Sequence, residues 1–194
     1  MKTILASSSQ RRKEIFDKIN LDYIVVSSEI DEEKLGISKS QPHLYSKKVA
    51  HQKGLTVSKQ FPNDFIISAD TIVVYKKIFE KPKNYSEAVS FLRILSNKTH
   101  HVYTGVSIIC FKKNININFY EKTSVTFHKL SINDIKYYIK NYSPYDKSGS
   151  YGIQDWSCLF VKKIKGCFYN VIGFPISKFY KVINKNNIEL TYHD

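Results

Sequence analysis

Apolar and polar positions repeat at two different spacings along this chain, and the changes of spacing mark its elements. Residues 2–6 form a short apolar run, after which Ser7-Ser8-Ser9 opens a helix over 10–16 with Ser9 as its N-cap. A second strand is expected at 23–26. Residues 44–58 place Tyr45, Val49, Ala50 and Val57 on one stripe at about 100° per residue, the spacing of a helix lying on a core. Residues 66–74 then read as a strand that is apolar apart from Ser68, Asp70 and Thr71, and 75–82 as a hairpin and turn ending at Pro82. Ala88, Phe91, Leu92 and Leu95 follow a capping box of Asn84 and Glu87, with Asn97 as a left-handed stop. Two long strands come next, 100–111 and a run with Ile117, Phe119, Val125 and Phe127 on one face. Alternation sends His100 and His101 to opposite faces, so they do not share a metal. Ser131 and Asp134 open a helix that ends before Pro144. Residues 146–154 read as a surface loop, 158–172 as two β runs around a Lys165-Gly166 hairpin, and 176–183 as a last helix, with a loosely held tail from 185. Nothing divides the chain, so one α/β domain is expected.

Composition changes this picture little. The 194 residues, 42% of them hydrophobic, can bury a full core. A formal charge of +13 invites a nucleic-acid reading, but the lysines are spread among asparagines and tyrosines instead of gathering on one face. A dedicated nucleic-acid surface is therefore not expected, whereas a smaller phosphate-bearing ligand would need only a few placed cations. No run is long enough for a membrane span and none resembles a signal peptide, which points to a cytoplasmic protein without a membrane partner. Three cysteines without paired spacing read as reduced, mostly buried fillers.

The candidate chemistry begins at Asp70, because an ionised carboxylate in an apolar strand is costly unless cations or donors surround it. The acids among residues 29–33 form either a solvated loop or a carboxylate within reach of a divalent cation. Lys53 lies in the middle of the inward stripe of its helix, where it must snorkel outward or meet an anion. Arg11 and Arg12 stand in a first helical turn, against the helix dipole, so they are either solvated or placed for a ligand. Lys81 is expected near the strand ends.

Taken in order, these stretches resemble the Maf family of nucleoside triphosphate pyrophosphatases, the septum-formation-inhibitor-like proteins. The resemblance is carried by Leu5-Ala6-Ser7-Ser8-Ser9-Gln10-Arg11-Arg12, Asp31-Glu32, Lys53, Ala69-Asp70-Thr71-Ile72-Val73 and Glu80-Lys81-Pro82. It continues through residues 95–106, Gly149-Ser150-Tyr151-Gly152-Ile153-Gln154 and Gly173-Phe174-Pro175. It implies a mixed sheet with flanking helices and two lobes around a central cleft, assembled as a homodimer. It also implies cleavage of a nucleoside triphosphate between the α and β phosphates with magnesium or manganese. Asp70 matches the proton acceptor and Glu32 an acid beside it, both available to the metal; Ser9, Arg12, Lys53 and Lys81 match triphosphate contacts. Arg12, Thr71 and Gln154 resemble the subgroup acting on dTTP and UTP. The alternatives are a 7-methyl-GTP- or ITP-directed enzyme, or a regulator of septation acting through a partner. Ser148 stands where alanine is usual in the family, and Phe174 where leucine is.

Overall fold

The computed structural model describes residues 1–193, apart from the Glu33 side chain. Seven strands form one mixed sheet: β1 (Thr3–Leu5), β2 (Ile24–Val25), β3 (Phe65–Tyr75), β4 (Lys77–Phe79), β5 (Thr99–Cys110), β6 (Ile115–Phe127) and β7 (Val161–Lys165). Their order is β2-β1-β3-β5-β6-β7, with β4 added on β3. β1 is parallel to β2 and β3, and every other pairing is antiparallel. The helices are α1 (Gln10–Asp17), α2 (Pro42–Ser58), α3 (Tyr85–Leu95), α4 (Ile132–Tyr142), α5 (Phe168–Ile172) and α6 (Ile176–Lys185). Among the described residues, no helix is long and apolar enough to cross a membrane.

Strand alternation explains where the cores lie. On one face of β3, Ile66 packs with Val57 of α2, while Ile72 packs with Tyr45 and Val49. Gly105 on β5 lets α2 come this close, since a Cβ there would collide with the backbone of Ser46 and Lys47. On the other face Phe65, Ile67 and Ala69 join a core with Ile15, Phe16, Phe179 and Ile183 from α1 and α6. Val73 joins a second core with Phe91 and Leu92 of α3 and Ile135 and Tyr138 of α4. Between the two cores runs a polar seam: Thr71 on β3 and its register partner Thr104 on β5, each flanked on its own strand by members of the two apolar clusters, with buried Thr123 on β6 opposite Val102.

A break in pairing positions the site. On one edge of β3, β1 covers Phe65 to Ile67 and β4 covers Val73 to Tyr75, leaving residues 68–72 without a strand neighbour there. Asp70 and Thr71 lie in this gap.

The structure corrects three expectations. Residues 168–172 form α5, not the second arm of a hairpin. Their aromatic and β-branched composition favours a strand locally, but the helix turns buried Asn170 so that its Nδ2 donates to Val102 O and Thr123 Oγ1. Gly166 (φ +127°) ends β7 and Gly173 (φ +131°) ends α5. The C-terminal tail is tied down, with Tyr192 bridged to Leu21, Asp22 N bonded to Thr191 O and Ile188 buried. Of the cysteines only Cys110 is buried, while Cys158 is exposed and Cys167 lies between.

Candidate active site

The gap in β3 opens into a cavity of about 730 Å³ whose walls come from the start of α1, the loop before α2, α2 itself, β3, the turn after β4, and the Asp146–Ile153 and Val171–Gly173 segments. Asp70, on the α2 side of β3, is almost fully buried. Lys53 reaches it from the inward face of α2, with Nζ 2.8 Å from Asp70 Oδ1 and 2.7 Å from Glu32 Oε1. The lysine on an inward stripe therefore meets anions, and the acid in an apolar strand has its cation. Asp70 Oδ2 is buried with no hydrogen-bond partner, a state that an approaching water or cation would relieve.

That orphaned oxygen bears on the divalent metal. Asp70 and Glu32 supply hard oxygen donors within reach of one ammonium, and among the described residues no group of three or more metal-ligating side chains is clustered. Such a pair suits magnesium or manganese, ions that keep waters and use substrate oxygens, and does not suit an all-protein cage.

The other side of the gap is built from hydrogen bonds. Arg12 is buried, and its guanidinium donates from Nε to Gly173 O at 3.0 Å, from Nη1 to Ser7 Oγ at 2.8 Å and from Nη2 to Thr71 Oγ1 at 3.2 Å. Burial lowers its pKa to about 10, partly offset by Asp70, so it stays charged at neutral pH. Ser9 is the N-cap of α1 but makes no side-chain cap, which leaves its hydroxyl and the first-turn N–H groups at the cavity wall.

Lys81 is exposed at the rim and, like Lys83, has no carboxylate partner among the described residues. Arg11 pairs with Asp146, as does Lys147 at 2.8 Å. Burial alone would raise the Asp146 pKa, but these two cations hold it below the usual range. Sequence reasoning missed Lys83, Lys147 and Asp146 as wall residues, because a charge in a loop carries no periodicity to reveal its direction. Ser148 donates its hydroxyl to Thr71 O at 3.0 Å, so the departure from alanine adds a bond to the exposed edge of β3. Gly149 (φ +70°) must be glycine, because a Cβ would lie 2.9 Å from Val73 Cγ1. Phe174 is buried against Phe16, ring centroids 4.9 Å apart. Thus Ser9, Arg12, Glu32, Lys53, Asp70, Thr71 and Lys81 all border one cavity. Gln154 does not: it is exposed, and its Nε2 donates to Glu14 Oε2 at 3.2 Å.

The Maf-like protein family model matches residues 2–186. A "dTTP/UTP pyrophosphatase" of Bacillus cereus strain ATCC 10987 is 42% identical over 192 residues, which cover 98% of this chain and 93% of that protein. A protein of the same name from Bacillus anthracis is 41% identical, with 98% of each covered. The solved Staphylococcus aureus Ham1 protein aligns over 66% of this chain and 72% of its own, at a TM-score of 0.46 and 15% identity, too distant to add to the argument. With a family model spanning nearly the whole sequence and relatives this similar from end to end, the chain belongs to the Maf-like protein family.

Proposed function

We propose that this protein hydrolyses dTTP and UTP between the α and β phosphates, giving the monophosphate and pyrophosphate and so clearing nucleotides from the pool. The observation that carries the reading is the buried Asp70, joined through Lys53 to Glu32 and with one oxygen free, beside unpaired lysines in a cavity of nucleotide size. The names of the relatives supply the substrate.

In this reading the triphosphate lies along the α1 N-terminus and Ser9, between Lys81 at the rim and Lys53 inside. Asp70 Oδ2 accepts a proton from the attacking water, whose oxygen bonds to the α phosphorus as the α–β bridge bond breaks and pyrophosphate leaves. Lys53 holds the Asp70 carboxylate in place through Oδ1, and the cations stabilise charge on the phosphate oxygens as that bond breaks. A magnesium or manganese ion held by Asp70 and Glu32 would supply charge neutralisation and a more acidic bound water. Arg12 and Thr71, on the cavity wall, select the base, and Gln154 joins them on leaving its contact with Glu14. The chain acts as a single two-lobed unit, as a homodimer in the cytoplasm.

The test is pyrophosphate release from a nucleotide panel with either metal. dTTP and UTP are expected to lead; release from ITP or 7-methyl-GTP with none from dTTP and UTP would overturn the assignment.

A further inference from the structure

Behind the cavity wall lies a buried hydrogen-bond chain that the hydrolytic step does not use. Thr104, in the polar seam on β5, has no solvent exposure and does not line the cavity. Its Oγ1 lies 2.9 Å from Thr71 Oγ1 and 3.1 Å from the backbone carbonyl oxygen of Asn170. A hydroxyl carries one proton and a carbonyl none, so the Thr104 proton goes to Asn170. With the Thr104 proton so placed, the 2.9 Å contact between the two hydroxyls is held by the Thr71 proton, in preference to its longer 3.3 Å reach to Gly173 O. With that proton turned inward, Thr71 presents a lone pair to Arg12, whose Nη2 donates to it at 3.2 Å. In this arrangement the chain runs from Arg12 to Thr71 to Thr104 to the Asn170 carbonyl. Asn170 is itself anchored, donating to Val102 O at 3.1 Å and to Thr123 Oγ1 at 3.0 Å.

We propose that Thr104 is a positioning residue for base selection: by taking the Thr71 proton it fixes Thr71 as an acceptor and holds the Arg12 guanidinium in one orientation. The proposal rests on the reading of Arg12 and Thr71 as base-selecting residues. Three of the five N–H groups of Arg12 are used on Gly173, Ser7 and Thr71, and two remain for a ligand. Fixed donors suit the ring carbonyl that uracil and thymine carry where cytosine carries an amino group. Without Thr104 the Thr71 hydroxyl can turn, one acceptor for Arg12 becomes inconstant, and the distinction weakens.

Steady-state kinetics on UTP and CTP test this with Thr104→Val, Thr104→Ser, Thr71→Val and the double variant Thr71→Val/Thr104→Val. Thr104→Val is expected to raise the UTP KM about tenfold and narrow the preference over CTP by a similar factor, with kcat nearly unchanged, the size of effect that loss of one buried hydrogen bond produces. Thr104→Ser should restore both, and the double variant should be no worse than Thr71→Val alone, because the two act as one unit. Equal losses on UTP and CTP, or additive losses in the double variant, would overturn the proposal. Should Thr104→Val fail to fold, Thr104→Ala removes the same hydroxyl without placing a methyl against the Asn170 carbonyl. Calorimetric binding of the non-hydrolysable α,β-methylene analogue of UTP separates the two readings. If the unsubstituted protein releases no pyrophosphate, the functional reading fails, yet weaker analogue binding by Thr104→Val still supports the relay and equal binding still rejects it.

Discussion

Asp70 and Thr71 are consecutive residues of β3 bordering one cavity, yet the fold satisfies them by opposite means. Asp70 turns toward α2 and is matched by formal charge, with Lys53 shared between it and Glu32. Thr71 turns toward α1 and α5 and is matched by hydrogen bonds to Arg12 and Thr104. Alternation along a strand makes the two sides independent, and the missing neighbour between β1 and β4 lets both reach the same ligand. A single strand crossing a cavity can thus keep reaction and recognition on separate supports. Substitutions on the first side should change rate, and those on the second should change affinity and selectivity.

The largest expected effect is at Asp70. An amide cannot take the proton of the attacking water, so Asp70→Asn should lower kcat by about a thousandfold while leaving the preference for UTP over CTP intact. A variant that lost its preference as well would show the two sides to be coupled. Lys53→Met tests the same side through stability. It leaves Asp70 buried with no counter-charge beside Glu32, and urea denaturation should show a loss of about 2 kcal/mol, below the range for fully enclosed pairs because this one borders a cavity. Unchanged stability would mean that the ion pair does not support the fold.

Acid probes the opposite side. His100 lies on the same face of the sheet as Thr104, packed against Phe127 and 2.7 Å from the hydroxyl of Tyr151, a cavity-wall residue. Burial, with a smaller contribution from His101, pushes its pKa down from 6.5 to about 3. The unfolded chain therefore binds this proton first as pH falls. The stability contributed by neutral His100 is complete above the unfolded value and is lost progressively as pH drops from there toward 3. The expected loss is on the order of 3 kcal/mol between about pH 6.5 and 4. His100→Phe should flatten that part of the stability profile; an unchanged slope would place the acid sensitivity elsewhere.

Much of this comparison was legible in the sequence on the Asp70 side. An acid inside an apolar strand and a lysine on an inward helix stripe are both violations of ordinary patterning, and each turned out to answer the other. Local signals were equally readable at α3, where Asn84 Oδ1 accepts from Glu87 N and Glu87 reaches back to Lys83 N. The Thr71 side was not legible. Threonines in strands conform to β-propensity, so Thr104 raises no suspicion until the register sets it opposite Thr71 between two cores. Asn170 was hidden in a run with strand-like composition, because the partners that make it helical lie far away in the chain. The direction of Gln154 could not be read either, since it depends on one contact with α1.

That contact carries the smallest predicted effect. Gln154 follows Ile153, which lines the cavity, but its own amide is held outside by Glu14. If Gln154 helps to select the base, it must leave Glu14 when nucleotide binds, and the competing bond reduces the population ready to bind. Glu14→Ala should then lower the UTP KM by about twofold, as expected for releasing one exposed hydrogen bond, while Gln154→Ala should raise it by a few-fold. In a protein already carrying Gln154→Ala, the Glu14 substitution should have no further effect. A shift in KM from Glu14→Ala that persists in that background would show that Glu14 acts through something other than Gln154, and would leave selection to Arg12 and Thr71 alone.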